Sequence, residues 1–192
     1  MLTLQADRAA SDTARLLQYA QHAITLGLRF TTLAMVVAAD PNAWEAVYEC
    51  HNECRKRQPP VELRTDPIPV DAWRQGFMEG VNARMDGYFL AQEIETGGYV
   101  AVCALVPVAN TPEALACGFT GTIPAWSGKK VALALKAHAM LWAWEQGFQH
   151  VETRTLQINR PIRTINEKLG FTLVKRHRHT FTLPAPLPRN TP

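Results

Sequence analysis

The stretch from Gly118 to Phe171 constrains this chain most. It reads as strand, Gly/Ser turn, long helix, strand, short helix and the start of another strand. Alternation of this kind calls for a sheet with helices packed on it. The long helix pattern runs from about Gly128 to Gln146. Val131, Leu135, Ala139 and Trp142 form one stripe, which Met140 and Trp144 thicken. A helix that is apolar almost all round must be covered on more than one side. Its first turn carries Lys129 and Lys130, where the partial positive charge of a helix N-terminus makes cations unfavourable by a few tenths of a kcal/mol each. An anion held by the free N–H groups of that turn would compensate them. Solvated lysines, with Ser127 acting as a simple N-cap, form the competing reading.

The rest of the chain supplies more of the same sheet. A helix is expected over 11–26, closed by Gly27, and then a strand at 28–33. Asn42 is placed to cap a helix of about 43–57, and Val70, Trp73, Phe77 and Val81 mark another over 70–84. The segment from Pro59 to Pro69 carries four prolines and reads as an extended wall of a cleft. Two strands, 88–94 and 99–106, flank Thr96-Gly-Gly98 as a hairpin. A strand over 114–123 leads into the long helix, and 150–155 follows it. Asn159 caps a short helix with Pro161 in its first turn. The last strands are expected at 171–174 and 179–183, and a proline-rich tail at 184–192.

Composition narrows the function classes. The 192 residues are 47% hydrophobic and 19% charged, with net charge +3. That balance suits a globular core and is too mild for a nucleic-acid surface. No run reaches the ~18 apolar residues of a membrane span. Asp7, Arg8, Asp12 and Arg15 interrupt any signal-peptide core. Cys50, Cys54, Cys103 and Cys117 have no further ligands at metal-binding spacing, so no metal is expected and the thiols are read as reduced. Together these features predict a cytoplasmic protein, with no nucleic-acid or membrane partner. A homodimer stays open.

The register Ile123, Pro124, Ser127, Gly128, Lys129, Lys130, Val131, Ala132 resembles the V-x-P-x-x-R-G-x-G-x-A junction of the GNAT superfamily of acyl-CoA-dependent N-acyltransferases. Asn159 and the ending Leu169-Gly170-Phe171 are similar to that family too, as is Trp-Ala-Trp-Glu-Gln-Gly-Phe148. The resemblance is strongest over 114–174. It implies an α/β (α+β) fold with a mixed, mostly antiparallel sheet of about six or seven strands flanked by helices, splayed in a V between the family's fourth and fifth strands. It further implies a domain over 28–183, with 1–27 as a helical extension and 184–192 as a tail.

The activity implied is transfer of an acyl group from acetyl-CoA, or another acyl-CoA, to an amine of a small molecule or peptide by direct attack. Thr122, Ile123, Pro124, Ser127, Gly128, Lys129, Lys130, Val131, Ala132 and Asn159 would contact the cofactor. The Ile123 N–H would stabilise the carbonyl oxygen. Asn166 stands where many members place a Tyr that protonates the leaving thiolate. His51 and Glu93 are candidate bases for the acceptor amine. Ser127, Lys130 and Asn166 depart from the family pattern. They favour a second reading, in which the same fold binds acyl-CoA poorly and serves assembly or regulation.

Overall fold

The computed structural model describes residues 1–56, 69–80 and 84–177. Seven strands form one sheet: β1 (Leu2–Asp7), β2 (Leu28–Thr32), β3 (Tyr88–Glu93), β4 (Tyr99–Val108), β5 (Thr111–Thr122), β6 (His150–Thr155) and β7 (Thr172–Arg176), in the spatial order β2-β3-β4-β5-β6-β1-β7. All neighbours are antiparallel except β5 and β6. Among the described residues six α-helices cover it: α1 (Thr13–Thr25), α2 (Leu33–Ala39), α3 (Trp44–Arg55), α4 (Val70–Glu79), α5 (Val131–Glu145) and α6 (Arg160–Lys168).

The central strands are buried on both sides, and their alternating residues divide the core in two. Phe89, Ala91, Ala101 and Cys103 join Leu16, Ala20, Leu135 and Ala139 of α1 and α5. Tyr88, Leu90 and Val102 join Leu33, Trp44, Val47 and Trp73 of α2, α3 and α4. Ten of the fifteen residues of α5 are buried, so this helix is covered on more than one side, as its sequence requires.

Several local expectations change. The helical extension expected over 1–27 is not helical throughout. Instead Leu2–Asp7 is a strand paired with both β6 and β7, and Leu2, Leu4 and Ala6 enter the same core as Leu135. Their period-two alternation is that of a half-buried strand. The 28–33 strand stops at Thr32, whose side chain accepts from the Met35 N–H at 3.3 Å and starts α2. Asn42 does not cap α3. Its N–H donates to Asp40 Oδ1, and α3 begins after Ala43 with no side-chain cap. Asn159 does cap α6, accepting from the Ile162 N–H at 3.4 Å. Most of the proline segment, 57–68, lies outside the described residues, as do the end of the 70–84 helix pattern, the 179–183 strand pattern and the tail. Among the described residues no helix is long and apolar enough to cross a membrane.

Candidate active site

The parallel pairing of β5 with β6 covers only Ala114–Cys117 against His150–Thr153. Beyond it the two strands part. The register of β5 on β4 shifts between Ala104 and Leu105, where Leu105 pairs Cys117 and Ala104 pairs Phe119. Gly118 is therefore the extra residue of a β-bulge. A bulge bends its strand and ends regular pairing, which places the start of the splay at that residue. From there β5 continues to Thr122 against β4 alone, and β6 continues to Thr155 against β1 alone. The added N-terminal strand raises the strand count by one, so β5 and β6 are the expected fourth and fifth strands of the resemblance.

The gap opens into a cleft of about 660 Å³ that reaches the start of α5. That size lies within the usual range for small-molecule sites, roughly 300–1,000 Å³. Lys130, Lys136, Arg154 and Lys168 line it, and no carboxylate does among the described residues. Of the expected cofactor contacts, Thr122, Ser127, Gly128, Lys130, Val131, Ala132 and Asn159 line the cleft; Ile123, Pro124 and Lys129 do not. The Lys129 ammonium instead lies 4.3 Å from the Trp126 ring centroid.

The junction itself is turned rather than helical. Pro124–Trp126 forms one 3-10 turn, Gly128 has φ +80° and Lys130 has φ +62°, so α5 begins only at Val131. Lys130 thus adopts the left-handed conformation that glycine takes most easily. Ser127 does not cap the helix: no side chain does. The first backbone bond of the helix runs from the Ala134 N–H to the Lys130 carbonyl, and among the described residues the N–H groups of 128–133 have no backbone partner. Donors of that kind at a helix N-terminus suit a phosphate.

The Ile123 N–H is not available to a substrate oxygen. It donates to the Val100 carbonyl on β4 at 3.0 Å. In an antiparallel ladder successive residues turn their N–H groups to opposite neighbours. In the register of Ala101 with Thr122 and Cys103 with Thr120, the N–H groups of Thr122 and Thr120 face the gap.

The expected catalytic side chains are dispersed. Glu93 accepts from the Thr96 hydroxyl at 2.6 Å in the hairpin and does not line the cleft. His51 Nδ1 is 2.7 Å from the Tyr88 hydroxyl, and its ring packs on Phe119 at 5.0 Å, one side chain behind the cleft wall. Burial, then the Arg55 charge, lowers its pKa to about 4. Asn166 is fully buried and absent from the cleft wall. It is committed to a residue that sequence reading missed: Lys136 Nζ donates to Asn166 Oδ1 at 2.6 Å. The signal was present, because Lys136 is a lone charge among the apolar residues 131–137.

Lys136 is completely buried yet lines the cleft, with Nζ 4.6 Å from the Phe171 ring centroid. At the apex of the splay, Cys117 Sγ lies 3.9 Å from Cys103 Sγ and 3.2 Å from Thr120 Oγ1. A hydrogen bond from Cys103 lowers the Cys117 pKa to about 5; burial opposes this, and the nearby Lys136 charge assists it.

No family model and no curated protein matches the sequence. Solved structures do. A GCN5-related N-acetyltransferase from Sphaerobacter thermophilus aligns over 90% of this chain and 48% of its own length, at 16% identity and TM-score 0.61. A GCN5-related glucosamine N-acetyltransferase region of a fungal multidomain β-N-acetylglucosaminidase aligns over 90% of this chain and 19% of its own, at 12% identity and TM-score 0.62. An aminoglycoside acetyltransferase from an uncultured soil metagenomic sample, solved with sisomicin, aligns over 84% and 99%, at 12% identity and TM-score 0.58. The chain therefore spans half or less of the first two structures and nearly all of the third. With element order, the β5–β6 splay and these matches in agreement, the chain has the fold of the GCN5-related N-acetyltransferases, the GNAT fold.

Proposed function

We propose that the protein is an acyl-CoA-dependent N-acyltransferase that joins donor and amine in one ternary complex. The observation that carries this reading is the continuity between an unpaired strand gap and an uncapped helix N-terminus, in a cleft that, among the described residues, four basic side chains and no carboxylate line. The gap takes the extended pantetheine arm through the free backbone edge of β5. The N–H groups of 128–133, with Lys130 beside them, take the pyrophosphate. Lys129 acts only through its charge, since it stands off the cleft wall.

Chemistry follows at the gap. An amine attacks the thioester carbon, and the oxygen gains negative charge. The Thr122 or Thr120 N–H meets that charge in place of Ile123, a stabilisation worth roughly 3–4 kcal/mol where a single such donor has been removed elsewhere. The C–S bond then breaks, the thiolate of CoA departs, and the proton shed by the amine nitrogen passes to solvent or to that thiolate. Holding amine and thioester together supplies much of the remaining rate. The neighbours that act on glucosamine and aminoglycosides make amino sugars the first acceptors to try.

The test is release of free CoA, read with a thiol reagent, when the protein is mixed with acyl-CoA and a panel of amino sugars and peptide amines. Amine-dependent release is expected. Weak or absent CoA binding, with no release across the panel, would favour the assembly reading over catalysis.

A further inference from the structure

The counter-charge of the buried Lys136 ammonium is a sulfur. Asn166 Oδ1 accepts from Nζ at 2.6 Å, and the Cys117 sulfur receives a second hydrogen bond and the benefit of the charge. Asn166 lies away from the cleft, whereas Lys136 and Cys117 both line it. The amide thus anchors the ammonium from behind, and a ligand meets the ammonium and the sulfur. An ion pair kept out of water is costly to maintain, so its place in a cleft points to chemistry.

The surroundings of Cys117 favour a thiolate, the form of cysteine that attacks carbon. Cys103 Sγ stands 3.9 Å from its sulfur and the Thr120 hydroxyl 3.2 Å, and both can donate to it. Its neighbours are held as thiols. A hydrogen bond with Cys117 and then burial push Cys103 up, and a hydrogen bond with Cys50 and then burial push up Cys54, which also lines the cleft. Cys117 is the last residue of β5 paired with β6, just before the bulge at Gly118. The Thr120 N–H faces the same gap. A carbonyl carbon brought to this sulfur therefore has a donor for its oxygen on the same strand.

We infer that Cys117 is a second acyl acceptor: with no amine in the cleft, its sulfur takes the acyl group from acyl-CoA and becomes an S-acyl thioester. The inference rests on the acyl-CoA reading above and adds an activity to it. Cys117 Sγ bonds to the acyl carbon, and the bond from that carbon to the CoA sulfur breaks. The Lys136 ammonium gives a proton to the departing CoA thiolate. One thioester replaces another, so no oxidant or further reactant is needed. The lysine loses its charge as the sulfur does, and no lone charge is left in the core.

In the experiment the protein, kept reduced with a phosphine, is mixed with acetyl-CoA in the absence of amine, quenched in acid and read by intact and peptide mass spectrometry. About one acetyl group per chain is expected, mapped to Cys117 and removed by hydroxylamine, with a matching burst of free CoA. Its rate should change less than about two-fold between pH 6 and 8, where an ordinary thiol of pKa ~8.5 would gain roughly fifty-fold or more. Cys117→Ser should carry no thioester, and Cys54→Ser should label like the wild type, with melting curves confirming that both fold. Lys136→Met should restore the steep pH dependence.

Peptide mapping of the wild type decides the matter even if a variant fails to fold. Acetyl found on Cys54 or Cys103 instead, or a hydroxylamine-stable acetyl on Lys136, would overturn the inference. A wild-type rate that climbs with pH like that of an ordinary thiol would also overturn it. Binding of free CoA with no labelling by acetyl-CoA would sink this inference alone. No binding of free CoA would sink the acyl-CoA reading and this one with it.

Discussion

At φ +62°, Lys130 holds a backbone conformation that costs a non-glycine residue on the order of 1 kcal/mol. The sequence showed a lysine where the resembling family has glycine, and the structure gives the reason a glycine fits there. Lys130→Gly should raise stability by about 0.5–1 kcal/mol in urea unfolding, once the larger entropy of an unfolded glycine is subtracted. An unchanged or lowered midpoint would mean the turn is not strained.

His51 yields a second residue-scale prediction. Its folded pKa of about 4 lies below the ordinary 6.5, so the folded protein keeps the ring neutral where the unfolded chain would protonate it. Its contribution to stability is complete above pH 6.5 and is lost as pH falls towards 4. His51→Gln keeps a hydrogen-bonding group for the Tyr88 hydroxyl and removes the titration. Its melting temperature should fall less steeply than the wild type's between pH 6.5 and 4. Parallel curves would show that the ring is not held neutral.

At the scale of elements, β1 and the close approach of α3 to β5 make separable predictions. Leu4 on β1 is 7% exposed, whereas Leu17 on α1 is 49% exposed. Leu4→Ala should cost about 2–3 kcal/mol, as for a core leucine, and Leu17→Ala under about 1. Equal small losses would remove β1 from the core. A Cβ on Gly121 would stand 3.0 Å from Cys54 Cβ, which ties the C-terminal turn of α3 to the cleft strand. Gly121→Val should cost about 1–3 kcal/mol by overpacking, read as a lower urea midpoint.

Legibility also differs by element. The long helix, the 96–98 hairpin and the Asn159 cap were readable, because each rests on local periodicity or turn chemistry. β1 was hidden because five alternating residues beside a strong helix pattern carry little signal alone. The bulge at Gly118 and the use of the Ile123 N–H by Val100 depend on which strand pairs where, and that is set by partners far away in the chain. Lys136 was visible as an odd charge in an apolar run, but its tie to Asn166, thirty residues later, belongs to tertiary structure.

For the whole molecule, the proposed function requires one anionic ligand to run from the β5–β6 gap to the start of α5. Gly128 is the place to test it. A Cβ there meets nothing within 4 Å, so a side chain would project into open space rather than into the protein. Its φ of +80° strains any substituent, and Gly128→Ala therefore serves as the control for Gly128→Glu. The measurement is calorimetric binding of free CoA to the wild type and both variants at fixed salt. The wild type and Gly128→Ala should bind. Gly128→Glu should bind at least about a hundred-fold more weakly than Gly128→Ala, since a carboxylate set against a pyrophosphate costs several kcal/mol. Equal affinities for the two variants, or no binding by the wild type, would rule out a pyrophosphate at this turn.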